Sequence, residues 1–203
     1  CSRAELHAAS APHTSDGQFI YPSTCRNLTE DERRNKMQSH KHSWRIKVPD
    51  ETITFNDRHY GRQSLNLARE WGDFIVRRSD GIYAYQLAVV IDDALMGVTE
   101  VIRGRDLLSS SAPQLYLYRL LGFKPPQFGH LPLLTAPDGR RLAKRDMDLD
   151  MGALRSRYTP EEVIGRLAFL AGLIDKEEPV KASELLPSFD WQKIPKENIT
   201  VTN

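Results

Sequence analysis

Residues 140–145 read Arg-Arg-Leu-Ala-Lys-Arg and follow Asp138-Gly139, so a glycine-led loop carries a dense set of cations. They come just after the apolar run Phe128-Gly-His-Leu-Pro-Leu-Leu134, which has the composition of a core strand. Ligands of open α/β sheets sit beyond the carboxyl ends of the strands. Mobile cations at such a place can meet the negative charge that develops when a phosphate ester reacts. Lys144 and Arg145 are the candidates for that work, with a plain basic surface loop as the alternative on spacing alone. A second set lies within 81–105, where Tyr83, Tyr85, Asp92, Asp93, Glu100 and Arg103 interrupt an apolar, β-branched segment. Burying such groups without partners is costly, so they are expected at strand ends around a pocket. Arg103, followed by Gly104, offers a planar fork suited to a carboxylate; an ion pair with Asp92, Asp93 or Asp106 would use it structurally instead. Tyr85 can hydrogen-bond a small polar ligand or simply pack. The third set is Cys1, Tyr21 and Cys25. Thiolates are good zinc ligands, but a structural zinc site takes four donors; His7 and His13 are nearby alternatives, and free thiols are the simpler reading.

The elements that must position these groups are legible in outline. Thr29-Glu-Asp-Glu32 is a capping box and opens a short helix, and a basic, histidine-rich run from Arg33 to Lys47 reads either as a solvated face or as an RNA-facing surface. Trp44–Val48 alternates into Pro49 and predicts a strand, with Thr52–Phe55 as its partner. Phe74–Arg78, Ser79-Asp-Gly81 and Ile82–Tyr85 predict a hairpin, and Val98–Arg103 a buried strand. Ser111-Ala-Pro113 opens a helix whose apolar face is Leu115, Leu117, Tyr118, Leu120 and Leu121, ended by Gly122. Strand, helix and strand in succession over 98–134 make a βαβ crossover, hence a parallel sheet and an α/β core. Thr159-Pro-Glu-Glu162 caps a further helix, and the proline-punctuated tail is expected to pack back as a small helical cap.

Composition narrows the classes. The chain has 203 residues, 40% apolar and 27% charged, as in an ordinary globular protein. A net charge of +1 gives no global argument for a nucleic-acid partner, which must rest on local patches. No run approaches the roughly 18 apolar residues of a membrane span, and two cysteines make no disulfide framework. A cytoplasmic, membrane-free, monomeric protein is expected.

Taken together, Gly81–Leu107, Pro113-Gln114, His130-Leu-Pro132 and Arg141-Leu-Ala-Lys-Arg145 resemble the second half of the catalytic domain of class I glutamyl-tRNA synthetases. The likeness is closer still to their short paralogues that modify queuosine-containing tRNA(Asp). It runs from residue 1 to about 175 and is strongest over 73–145.

The resemblance implies roles residue by residue. Arg141, Leu142, Ala143, Lys144 and Arg145 stand where the family's K-M-S-K-S signature closes over ATP, with Lys144 matching its second lysine and Ala143 lacking the serine hydroxyl. Tyr85 and Arg103 fall where the family binds glutamate. Cys1 matches one cysteine of the paralogue's Cys-x-Cys element, and Tyr21-Pro-Ser-Thr-Cys25 its Tyr-x3-Cys element; in that family three cysteines and the tyrosine hold zinc. One zinc ligand and the H-I-G-H ATP signature would lie before Cys1, so the chain alone is expected not to activate glutamate, while its end reads as a natural terminus.

The implied layout is a zinc-type and acceptor-binding-like insertion at 1–72, the second half of a Rossmann-like fold at 73–149 and a helical C-terminal subdomain at 150–203. The implied activity is ligation: ATP, with magnesium, activates glutamate, which passes to the queuosine base of tRNA(Asp). A fragment of a conventional glutamyl-tRNA synthetase, or a non-catalytic tRNA-binding module using Arg33–Lys47, are the alternatives.

Overall fold

The structure, a computed structural model, describes residues 20–140, 142 and 151–201. The chain divides into two compact units. The first comprises Cys1–Asn56, Arg62–Val101 and Ser109–Gln127; the second comprises Asp57–Gly61, Ile102–Leu108 and Phe128–Asn203.

In the first unit, α1 (Glu30–Ser39) opens on the expected capping box, Glu32 N donating to Thr29 Oγ1 at 3.3 Å and Thr29 N to Glu32 Oε2 at 2.8 Å. The helix buries none of its residues, so local terms hold it, the Arg33–Glu30 and Arg34–Asp31 pairs among them. Four strands follow: β1 (Trp44–Ile46), β2 (Thr52–Asp57), β3 (Gly61–Asn66) and β4 (Phe74–Arg77). β1 pairs antiparallel with β4, Ile46 opposite Phe74, and β2 pairs with β3. The expected partnership of Trp44–Val48 with Thr52–Phe55 is therefore wrong. The chain beyond β1 is taken by side chains: Val48 N donates to Asp73 Oδ1 and Val48 O accepts from Arg26 Nη2, both at 2.9 Å, while Pro49 has no N–H to offer.

The hairpin after β4 forms only in part. Gly81 turns at φ 89°, Arg78 N donates to Ile82 O and Ala84 N to Val76 O, but α2 (Tyr85–Leu95) begins at the next residue. Tyr85, Asp92 and Asp93 thus lie on a helix rather than at strand ends, whereas Glu100 and Arg103 stand on the strand Glu100–Gly104. Leu87, Val90 and Ala94 recur at helical spacing and pack in the core, and that burial overrides the β-branched composition. α3 (Ser111–Leu121) packs beside α2 and buries Pro113, Leu117 and Tyr118, whereas Leu120 and Leu121 of the expected apolar face stay exposed.

β5 (Glu100–Gly104) precedes α3 and pairs with β6 (Gln127–Leu131). Gln127 N donates to Thr99 O at their leading ends and Arg103 meets His130 at their trailing ends, so the two strands run in the same direction, as the βαβ reading requires. β5 is half-buried rather than buried, with Ile102 45% exposed.

The second unit continues with β7 (Leu134–Thr135), α4 (Met151–Arg157) and α5 (Pro160–Leu170), the last opened by the Thr159–Glu162 capping box. Gly165 of α5 lies against the following chain so closely that a Cβ would stand 1.8 Å from Glu178 O. The tail is not purely helical: after the single turn α6 (Ala182–Leu185), β8 (Ile199–Thr200) adds to β7 in parallel. The architecture is mixed α/β.

Candidate functional site

The most built cluster of the second unit centres on Asp57, His130 and Arg103. Asp57 ends β2 and folds the next residues around its own side chain: Oδ1 accepts from His59 N at 3.0 Å and Tyr60 N at 2.9 Å. The same oxygen accepts from His130 N at 3.3 Å, and Oδ2 faces His130 Nδ1 at 2.6 Å. Both side chains are fully buried. Burial pushes the Asp57 carboxyl up, but hydrogen bonds from the His130 ring and the Tyr60 and His59 amides outweigh it and leave the carboxyl below its ordinary range. On the other face of the ring, Arg103 Nε donates to His130 Nε2 at 3.0 Å, Nη2 donates to Leu107 O at 3.2 Å, and the guanidinium lies 5.1 Å from the Phe128 ring centre. A ring nitrogen that accepts from a guanidinium carries no proton, so His130 is protonated on Nδ1, toward Asp57. Tyr60 and Arg105 secure the turn to the tail, each donating to Lys196 O, at 2.9 and 3.0 Å.

The sequence alone did not find this triad. Asp57 is not singled out there and His130 is only part of a motif; the usable signal is a histidine inside an apolar strand, which needs a buried partner.

In the first unit, Tyr85 is the first residue of α2 and 52% exposed. Beside it a part-buried polar chain links the starts of two helices: Gln114 Nε2 donates to Gln86 Oε1 at 2.7 Å and Gln86 Nε2 to Ser110 Oγ at 3.2 Å. Also in this unit, His40, Lys41, His42, Trp44, Arg77 and Arg78 line an open groove of about 490 Å³, in which the Trp44 indole is half exposed.

Tyr21 and Cys25 are brought together. A turn with Ser23 at φ 60° returns the chain so that Cys25 N donates to Tyr21 Oη at 2.9 Å. Arg45 lies 4.0 Å over the Tyr21 ring and donates to Asp73 O, and Arg26 pairs with Asp73. Burial raises the Tyr21 phenol, with the Cys25 thiol adding to the rise and Arg45 opposing it; burial lowers Arg45 in turn. A phenol and a thiol side by side are a fitting half of a zinc donor set. Cys1 lies outside the described residues, and among those described no group of three or more His, Cys, Asp or Glu side chains gathers as a metal site.

Of the cationic loop, Arg140 and Leu142 are described: Arg140 O accepts from Ala136 N at 2.8 Å, and the Leu142 amide donates to Leu134 O at 3.3 Å. Arg141, Ala143, Lys144 and Arg145 lie outside the described residues.

The profile of tRNA synthetases class I (E and Q), catalytic domain, matches residues 3–202. The chain is 52% identical to a glutamyl-Q tRNA(Asp) synthetase of Symbiobacterium thermophilum, over 99% of this chain and 63% of that protein. It is 48% identical to one from Nitratidesulfovibrio vulgaris, over 86% of this chain and 55% of that protein. The chain thus spans less than two thirds of these relatives. Among solved structures, a glutamate tRNA ligase from Elizabethkingia meningosepticum in complex with its amino acid superposes with a TM-score of 0.74 at 30% identity, over 98% of this chain and 44% of that one. A glutamate-tRNA synthetase from Elizabethkingia anophelis gives 0.75 at 30% identity. With nearly its whole length inside that profile, the chain belongs to the catalytic-domain family of class I tRNA synthetases for Glu and Gln.

Proposed function

We propose that the protein containing this chain is a ligase that activates glutamate with ATP and transfers it to the queuosine base of tRNA(Asp). The observation that carries the reading is the 52% identity to a protein of that name over 99% of the chain. In the first step a glutamate carboxylate oxygen bonds to the α-phosphorus of ATP and pyrophosphate leaves. In the second, a queuosine hydroxyl takes the glutamyl carbonyl and AMP leaves. Such chemistry rests on positioning and charge stabilisation, not on a protein nucleophile.

Roles follow from the matched positions. Arg103 presents its guanidinium to a glutamate carboxylate and Tyr85 its phenol to the same substrate. Lys144, with Arg141 and Arg145, meets the phosphates of ATP, and Leu142 and Ala143 form the loop between them. Cys1, Tyr21, Cys25 and a further ligand would hold zinc, whose work when bound is to fix the 1–72 insertion. Segments 73–149 and 150–203 are the second catalytic half and the C-terminal subdomain. The groove of His40, Lys41, His42, Trp44, Arg77 and Arg78 supports tRNA as the partner, since it pairs cations for phosphates with an exposed indole for stacking. The protein works in the cytoplasm, where charged tRNA is used.

The test is a charging assay on the full-length protein with labelled glutamate and ATP. Glutamate should become bound to queuosine-containing tRNA(Asp) and not to tRNA(Glu). Preferential charging of tRNA(Glu) would make it a conventional synthetase; tRNA binding without pyrophosphate exchange would make it a binding module.

A further inference from the structure

Arginine side chains are long, and a binding guanidinium must be held before substrate arrives if affinity is not to be lost in ordering it. Arg103 is held at Nε by His130 Nε2, at 3.0 Å, and at Nη2 by Leu107 O. The first contact exists only in one tautomer of His130, and that tautomer is selected by Asp57 Oδ2 at 2.6 Å from Nδ1. Asp57 is in turn immobilised by main-chain N–H donors of residues 59, 60 and 130, all on its other oxygen, Oδ1. We propose that Asp57 and His130 are positioning residues for glutamate recognition: Asp57 sets the His130 tautomer, and His130 sets the Arg103 guanidinium. This rests on the reading of Arg103 as the ligand of the glutamate carboxylate.

The arrangement makes an unusual demand on one conservative change. In Asp57→Asn the side-chain oxygen keeps the three amides, because they are donors and only an oxygen accepts them. The new amide nitrogen then takes the place of Oδ2 and donates to His130 Nδ1. The ring proton moves to Nε2, where it opposes the N–H of Arg103 Nε. Fold and volume are conserved, yet the last contact turns from attractive to repulsive.

The experiment uses the full-length protein. ATP–pyrophosphate exchange gives KM for glutamate and ATP and kcat in Arg103→Gln, Asp57→Asn, His130→Phe and His130→Gln, whose Oε1 can still accept from Arg103. Asp57→Asn and His130→Phe should raise the glutamate KM about tenfold to a hundredfold, as loss of a charge-assisted hydrogen bond does, with the ATP KM within about twofold. His130→Gln should recover part of that loss. Imidazole ¹⁵N spectra should show His130 protonated on Nδ1 in the wild type and on Nε2 in Asp57→Asn. A wild-type ring protonated on Nε2 overturns the proposal even if every variant misfolds. So does an unchanged glutamate KM in Asp57→Asn when Arg103→Gln raises it. An unchanged glutamate KM in Arg103→Gln instead overturns the Arg103 reading, and the relay's purpose with it, whatever the spectra show.

Discussion

The Tyr21 phenol oxygen accepts from the Cys25 amide at 2.9 Å across a turn of left-handed Ser23, so two residues four positions apart are held together by the backbone. Tyr21 and Cys25 would supply two ligands of a zinc held there, which would take the phenol as phenolate and the thiol as thiolate. The full-length protein is expected to carry one zinc per chain by elemental analysis. Cys25→Ser should lose it, and Tyr21→Phe should retain it less tightly against a chelator by about tenfold or more.

Removing the Asp57 carboxylate should be among the more damaging single changes in the second unit. Asp57→Ala leaves three amides and a buried imidazole without their acceptor and should cost about 3 kcal/mol or more in chemical denaturation. The pH dependence has a definite sign. The folded carboxyl sits below its unfolded value, so its contribution is complete above roughly pH 4 and is lost as pH falls through the lowered folded value. The stability gap between wild type and Asp57→Ala should be flat from about pH 5 to 8 and close in more acid solution.

Gly165→Ala sets two effects against each other. Alanine improves helix propensity by about 1 kcal/mol, but its methyl would enter the space of Glu178 O, a main-chain atom that cannot rotate away. The clash should win, with a net loss of about 1–3 kcal/mol in denaturation. Hydrogen exchange should show the Val180 amide, which donates to Glu161 O, losing protection first.

Lys144→Ala should lower turnover of the full-length enzyme by about a hundredfold or more, as loss of one charge-stabilising group at a reacting phosphate does. Exchange kinetics at saturating glutamate and ATP will read it; an unchanged kcat would remove Lys144 from the mechanism.

What was legible in the sequence were features that local chemistry decides. The capping boxes at Thr29 and Thr159, the proline start and glycine stop of α3, and the succession of strand, helix and strand over 98–134 all follow from neighbouring residues. The misreadings came where partners are distant. β1 chose β4 because Asp73 and Arg26 occupied the backbone at Val48, and nothing near Trp44 announces that. The start of α2 at Tyr85 was hidden by β-branched residues whose helical spacing outweighs their preference. Arg103 was singled out as a fork for a carboxylate, with acidic neighbours as its structural alternative; the structure gives it a histidine 27 positions away, held by an aspartate 73 positions away from that histidine.

The β7–β8 pair has a bearing on how the second unit comes into being. Thr135 and Ile199 meet across 64 positions, so β7 leaves the ribosome with its edge open and waits for a partner still to be synthesised. At roughly 5–20 residues per second that interval lasts about 3–13 s, long compared with the formation of a helix or hairpin. Through it the short β7 edge, only Leu134 and Thr135, offers little for another chain to pair with. Brevity there is protection during birth, and the late strand is the clasp.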